Sequence, residues 1–351
     1  MAINVVLSLA TGALLVLLFP RFNFTWLAPV ALVPLLIACA REAGWKRRFL
    51  FGWAGGTLFW FFVCTWIQFV LEFHGGMGRW GGWGTFVLFA LLKGLHTALF
   101  AAIAGVLLRS AWAVPLVGAL WASVEYVHGS LGLAWIGLGF AWLDLGNAAV
   151  DWPWLARLAP ITGVFGISFV LAMIGTAVVL MMLRRPWREL TPLAAVLVLI
   201  ALPALPSATE GRERVQVLQP NIDTEARWTE ESFAAFERKL GELSVDEAAP
   251  LLVWPEAPAP FFPARPAFRD YIAKIAQTEH ADFVMGGIAM TQADEPLNSV
   301  FFLNPAGEIK ERYDKIQLVP FGEYIPPAFN WVNRITGEAG GLCAGQPHRD
   351  L

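Results

Sequence analysis

Two carboxylates and an amine sit where this chain could move a proton and steady an oxyanion. Glu256 lies in Trp254-Pro255-Glu256-Ala257-Pro258, directly after the apolar run Leu251-Leu252-Val253-Trp254. Prolines on both sides fix the direction in which that side chain leaves the run. A carboxylate there is partly desolvated, with the raised pKa that suits a general base. Lys315 ends Tyr313-Asp314-Lys315, and Glu323 follows in Pro320-Phe321-Gly322-Glu323-Tyr324. A fixed ammonium stabilises an oxyanion, and a second carboxylate holds the ammonium in place. Residue type and spacing alone leave an alternative, because a Glu and a Lys at strand ends also make ordinary surface pairs. Of the three cysteines, Cys39 and Cys64 lie in apolar runs and read as small buried hydrophobes. The odd number gives no disulfide framework.

Local periodicity supplies the elements that must place these groups. Val215–Gln219 reads as a strand, residues 229–243 as a helix capped by Thr229, and Leu251–Trp254 as a short buried strand. A second amphipathic helix opens at Pro266. Phe283–Ile288 is another strand, and Val300–Leu303, the turn Asn304-Pro305-Ala306-Gly307 and Ile309–Lys315 form a hairpin. Strands interleaved with helices predict a layered α/β or α+β domain.

That domain is the water-soluble part of a chain that is otherwise too greasy for a soluble protein. The 351 residues are 57% hydrophobic and 15% charged, against about 25% charged in globular chains. A net charge of −3 argues against a general nucleic-acid binder. Residues 1–209 hold 12 Lys/Arg, 6 Asp/Glu and 14 of the 17 tryptophans. The acidic residues concentrate after them. Apolar runs at 3–20, 24–40, 49–72, 84–108, 111–127, 161–183 and 190–206 predict a polytopic helical membrane domain of about seven spans, residues 1–206. Residues 207–213 form a linker, and 214–351 the soluble domain. The first run lacks a basic flank, so it reads as a retained helix rather than a cleaved signal. With seven spans, Arg41–Arg48, Arg109 and Arg184–Arg188 share one side. The positive-inside rule makes that side the cytoplasm, with the amino terminus inside and the soluble part outside. Residues 134–143 read as an interfacial segment on the outer surface. Lys93, His96 and Glu125 fall within or near spans, where ionisable groups are functional candidates. Snorkelling of Lys93 and a carbonyl bond from His96 are the plain alternatives.

The chain resembles bacterial apolipoprotein N-acyltransferases, whose soluble domain belongs to the carbon-nitrogen hydrolase (nitrilase) superfamily. The resemblance rests on Val217-Leu218-Gln219-Pro220-Asn221, Trp254-Pro255-Glu256, and Tyr313-Asp314-Lys315 with Leu318–Pro326 after it. Gly139–Leu143 and Ala159-Pro160-Ile161-Thr162-Gly163 carry it into the membrane part. It implies an αββα sandwich with a Glu-Lys-Cys triad, in which Glu256 is the base, Lys315 the oxyanion cation and Glu323 the supporting carboxylate. It also implies substrate handling by Trp228. The implied reaction is ping-pong: a cysteine takes an acyl chain from a phospholipid, and the α-amine of a diacylglyceryl-cysteine at an apolipoprotein terminus then attacks the thioester. No metal or other cofactor is implied. The expected setting is the bacterial inner membrane, with the soluble domain periplasmic and the protein a monomer.

The nucleophile departs from the pattern. The family's cysteine lies on a later strand, roughly fifty residues past the lysine, in a context recognised by its neighbours. Here the candidate is Cys343, in the Gly-rich Gly341-Leu342-Cys343-Ala344-Gly345-Gln346. It is not expected to serve, since reactive thiols need an electropositive setting. The chain is therefore expected to be truncated before the nucleophile strand and the family's last membrane helix, and inactive as it stands. Phe261 and Phe262, after the Pro-Glu motif, are expected to guide acyl chains or else to pack on the domain's core. Other readings are a membrane-anchored nitrilase-type amidase, an inactive lipoprotein-binding paralogue, and a transporter.

Overall fold

The computed structural model describes residues 1–131, 140–201, 211, 213–222, 229–245, 249–256, 261–319, 322–325, 327 and 341–346. The chain divides into two compact units, with Ser207 ending the long first segment of one and Ala208 opening the other.

The first unit is helical. Helix α1 (Ala2–Leu18) ends in a turn in which Arg21 and Asn23 take positive φ, and Phe24 N–H returns to the Leu17 carbonyl at 2.9 Å. A 3-10 segment (Thr25–Val30) containing Pro29 leads into α2 (Val33–Arg41). Then come α3 (Trp45–Val63), α4 (Trp66–Phe69) with a π turn Val70–His74, α5 (Gly78–Leu107), α6 (Ala113–Tyr126), α7 (Pro153–Ala156), α8 (Ala159–Met182) and α9 (Thr191–Ala201). Glycines let the helices approach to backbone contact. A Cβ placed on Gly52 of α3 would stand 2.3 Å from the Thr97 carbonyl of α5, and one on Gly12 of α1 would stand 2.4 Å from the Gly55 carbonyl of α3. Without a hydrophobic drive between helices in lipid, such close van der Waals packing is what binds them. Gly163 breaks the first turn of α8 at φ 63° and ψ −167°, a region that essentially only glycine enters.

Seven spans are not found among the described residues. Among the described residues, α5 (30 residues) and α8 (24 residues) are long and apolar enough to cross a membrane. Helix α3 with the α4 segment adds a third if that pair, bent by 61°, counts as one span. The cause is helix continuity. At about 1.5 Å per residue, a bilayer core needs roughly 20 residues in one helix. Among the described residues the other apolar runs yield 17 residues in α1, 9 in α2 behind its 3-10 break, 14 in α6 before a π turn (Val127–Leu131), and 11 in α9. Counting spans therefore no longer fixes the side on which the soluble part lies. The basic clusters nonetheless meet at one end of the unit: Arg185, after α8, donates to the Ser110 carbonyl after α5 at 3.4 Å, and Arg48 of α3 packs against Gly105 near the end of α5. The expected interfacial segment lies mostly in residues 132–139, outside the described residues.

The second unit is a five-stranded mixed sheet, in the order β1 (Val215–Val217), β2 (Leu251–Val253), β3 (Asp282–Met290), β4 (Pro296–Leu303) and β5 (Ile309–Asp314). The first three are parallel, linked through α10 (Glu230–Leu243) and α11 (Pro266–Glu279), and β3–β4–β5 is an antiparallel meander. Thr229 caps α10 as its sequence predicts, its hydroxyl accepting from Ser232 N–H at 3.1 Å while Ser232 Oγ accepts from Thr229 N–H at 2.9 Å. Phe236 and Leu240 of α10 and Phe268, Ile272 and Ala276 of α11 share one core with Leu252, Phe283, Met285, Leu297, Phe301 and Leu303. Both helices therefore cover one face, and the period-2 alternation puts Asn298, Val300 and Phe302 on the other. The expected two-sheet αββα sandwich is represented, among the described residues, by this single sheet and its helices.

Candidate active site

Three strand ends deliver the polar cluster. Trp254 continues β2 by donating its N–H to the Val284 carbonyl at 2.9 Å, and its indole N–H is fixed on Ser244 Oγ at 3.0 Å. Pro255 then turns the chain, and Glu256 follows. Lys315 extends β5 by one more rung, its N–H on the Asn298 carbonyl at 2.8 Å, so Asn298 and Lys315 project from the same face. Glu323 closes a turn back onto the Val319 carbonyl, 2.9 Å from its own N–H.

Lys315 Nζ donates to Glu256 Oε1 and to Glu323 Oε1, both at 2.9 Å. Asn298 Nδ2 donates to the same two oxygens, at 2.7 Å and 3.0 Å. The other oxygen of Glu323 accepts from Val319 N–H at 2.7 Å. Glu256, Lys315 and Glu323 are thus brought together as their motifs suggest. Asp314 of the same motif is held apart by Ser299 Oγ at 2.6 Å and by Arg312.

The sequence reading missed Asn298. It lies on β4, only 6% exposed, and one amide group bridges both carboxylates. The available signal was a lone amide inside the apolar run Leu297–Leu303, where a buried polar group must find partners. The expected desolvation of Glu256 is absent, since its side chain is 62% exposed. What marks Glu256 is the pair of donors that aim it.

Electrostatics knit the cluster. Burial works against the Lys315 charge, and the hydrogen bonds it donates to Glu256 and Glu323 outweigh it, so its pKa stands above the ordinary 10.5. For Glu323, burial pushes upward, and the Val319 N–H, Lys315 and Asn298 prevail, leaving it below the ordinary 4.5. The signs fix the pH window. The Glu323 contribution to stability is complete above its unfolded value and is lost as pH falls through its lower folded value. The Lys315 contribution is complete below its unfolded value and is lost as pH rises through its higher folded one. Denaturation midpoints of the wild-type chain and Glu323→Gln should therefore converge on acidification below 4.5. A constant gap down to strong acid would show that Glu323 carries no linked charge.

The other expected site residues fall in different places, and the segment bearing Cys343 runs beside the cluster, with Leu342 N–H on the Glu323 carbonyl at 3.0 Å and Gly345 N–H on the Lys315 carbonyl at 2.8 Å. Trp228 lies outside the described residues. Phe261 is no surface guide: it is fully buried, stacked at 4.4 Å centroid distance on Phe268 and also touching Phe233, Phe236 and Trp254. A loop aromatic that plugs the core looks in sequence like one that greets lipid. Phe261→Ser should cost about 3 kcal/mol or more, the scale of losing a buried aromatic, read as a lower denaturant midpoint. A loss below about 1 kcal/mol would show that the plug is dispensable. Phe262 is half-buried beneath the Arg265 guanidinium, 4.5 Å from its ring centre. Cys343 N–H donates to the Pro296 carbonyl at 2.8 Å, at the first residue of β4. Burial and the neighbouring Glu295 carboxylate both push its thiol pKa up, the reverse of activation.

Comparison with known proteins decides the family. Residues 11–177 match the family model described as the apolipoprotein N-acyltransferase N-terminal domain. The apolipoprotein N-acyltransferase of Geobacter metallireducens is 31% identical, over 97% of this chain and 68% of its own length. The chain belongs to the apolipoprotein N-acyltransferase family. The apolipoprotein N-acyltransferases of Chlorobaculum tepidum (26% identical, 98% of this chain and 70% of its own) and Nitrosomonas europaea (30%, 88% and 63%) agree. The chain thus spans roughly two thirds of these N-acyltransferases, and both of its units fall within the aligned stretch.

Proposed function

We propose that the Glu256–Lys315–Glu323 cluster, held by Asn298, is the acid–base and oxyanion part of an N-acyl transfer site of the carbon-nitrogen hydrolase type. The observation that carries this reading is one ammonium 2.9 Å from two carboxylates. In the first half-reaction Glu256 takes the proton of a cysteine thiol as its sulfur attacks the ester carbonyl of a phospholipid. The C–S bond forms, and the tetrahedral oxyanion faces Lys315, whose ammonium has three N–H groups. Two are engaged with Glu256 and Glu323, which leaves one for the oxyanion. The ester C–O bond breaks, Glu256 returns the proton to the departing lysophospholipid oxygen, and a thioester remains. In the second half-reaction the α-amine of a diacylglyceryl apolipoprotein attacks that thioester and passes its proton through Glu256 to the leaving thiolate. A thioester is activated enough to acylate an amine.

The thiol of this scheme is not Cys343. Glu295 beside it disfavours the thiolate, and Cys39 and Cys64 are buried in the first unit. The 351-residue chain on its own then forms no acyl-enzyme. Trp228 and Phe262 remain in this proposal as substrate contacts. The setting is the bacterial inner membrane, with the basic end formed by Arg48, Arg109 and Arg185 in the cytoplasm and the second unit outside.

Intact mass after incubation with phospholipid tests the scheme. The chain should gain no acyl-sized increment. An increment that disappears in Cys343→Ser would make Cys343 the nucleophile and overturn this assignment. Extending the chain with the carboxy-terminal third of the Geobacter relative should produce the increment and phospholipid-dependent acylation of a lipopeptide. Failure of a folded extended protein to do either would refute the proposed role of the cluster.

A further inference from the structure

Lys93, His96 and Glu125, scattered through the sequence of the first unit, converge. Around them the fold places His128 on the turn after α6, and Asp144 before the 3-10 segment Leu145–Ala149. The Glu125, His128 and Asp144 side chains line one cavity together with His96, Thr97, Trp60, Trp121 and Trp142. Lys93 stands beside it, its ammonium 4.9 Å from the Trp60 ring centre and 5.3 Å from that of Phe140. The His96 and His128 rings are 4.4 Å apart. Every one of these ionisable groups is more than half buried, and Lys93 and Glu125 are each 4% exposed.

Part of this cluster is satisfied within the fold. Glu125 Oε1 accepts from the Trp121 indole N–H and from Leu145 N–H, both at 2.7 Å. Around the same cavity, Glu125 Oε2, the Trp60 indole nitrogen and both His128 ring nitrogens have no hydrogen-bond partner among the described residues. A buried polar group left unpaired costs about 1–3 kcal/mol, so several unpaired groups facing one space call for an occupant that both donates and accepts. The cavity offers about 20 Å³ to the centre of a water molecule, and about 10–15 Å³ on that measure holds one. That space matches a molecule of the size of water. Among the described residues, no group of His, Cys, Asp and Glu has the arrangement of a metal site.

We propose that the first unit contains an internal hydration site, in which a water accepts from the Trp60 N–H and donates to Glu125 Oε2 and to a His128 ring nitrogen. Three partners are the usual complement of a buried water. The site joins α3, through Trp60, to α6, through Glu125. It gives Glu125 Oε2 a partner, beside the two donors already on Oε1.

Radiolytic labelling in 18O-water reads such a site directly, because hydroxyl radicals made from a bound water mark the side chains beside it. With the full chain in lipid nanodiscs, Trp60 (1% exposed) and Trp121 (4%) should label several-fold more than Trp254 (2%), whose indole is bonded to Ser244. Labelling no greater than that of Trp254 would overturn the proposal, and this wild-type comparison stands whether or not any variant folds. Glu125→Leu, in protein that still elutes as folded, should bring Trp60 and Trp121 down to the Trp254 level. Exchange of sodium for a large organic cation should leave the thermal midpoint unchanged. A clear drop would instead assign the cavity to a monovalent cation held by Glu125 and Asp144, and would overturn the water.

Discussion

Lys315→Met in the extended protein should abolish acyl transfer while the second unit stays folded. Methionine keeps the length of the stem and removes both the charge and the N–H donors. Two functions disappear with it. The developing oxyanion loses its cation, and loss of one preorganised donor of this kind costs about 10²–10³ in rate. Glu256 and Glu323 also lose the ammonium between them, so their like charges meet across the single amide of Asn298. The donor left to aim Glu256 is then the Asn298 amide. The combined loss should exceed that of Asn298→Ala, which removes an aiming bond and leaves the charges in place. Phospholipid-dependent acylation of a lipopeptide measures both, with denaturation midpoints as the control for folding. A loss of only a few-fold for folded Lys315→Met would rule out the oxyanion role.

In the first unit the largest expected effect comes from adding volume. Gly52→Leu should prevent the membrane unit from assembling. A Cβ there meets the Thr97 carbonyl oxygen at 2.3 Å, the Ala101 Cβ at 2.6 Å and the Ala98 Cα at 2.8 Å. These are mostly atoms of helix backbone that cannot swing aside, so α3 and α5 must separate. Overpacking a core that can relax costs about 1–3 kcal/mol, and a rigid backbone contact exceeds that range. Gly84→Leu on the same α5 is the matched control, because a Cβ there meets nothing within 4 Å. The control should be neutral or slightly stabilising, since glycine is the poorer helix former by about 1 kcal/mol. Gel filtration in detergent and thermal unfolding distinguish the two variants. Equal behaviour would mean that α3 and α5 are not packed through Gly52.

The polar cluster was largely readable because its parts are local. Trp254-Pro255-Glu256 and Tyr313-Asp314-Lys315 each announce a strand end with an ionisable residue at its tip, and such a signal needs only a few neighbouring residues. Asn298 was hidden because its role depends on pairing across strands, and because β4 starts four residues before the expected Val300. Phe261 shows the same blindness on the apolar side: composition reports an aromatic in a loop and says nothing of which way it turns. The membrane unit was legible as greasy helices and illegible as spans. A hydropathy window counts apolar residues, whereas crossing a bilayer needs unbroken helical rise. Pro29 with its 3-10 turn breaks that rise without lowering hydropathy.

The hairpin that carries Lys315 has an irregular rung. Leu303 pairs with Ile309 and Phe302 with Glu311, so Lys310 is an extra residue bulged out of β5. From Glu311 onward the ladder is regular, and it ends with Lys315 opposite Asn298. Removing Lys310 would close the bulge and leave every later pairing as it is. Removing any single residue between Glu311 and Asp314 would shift the lysine by one step and turn it to the wrong face. Related genes are therefore free to gain or lose a codon at the bulge, while the four that follow must keep their number. The spacing between this lysine and the hairpin turn is thus a poor guide to homology, and its spacing from Asn298 along the ladder a good one.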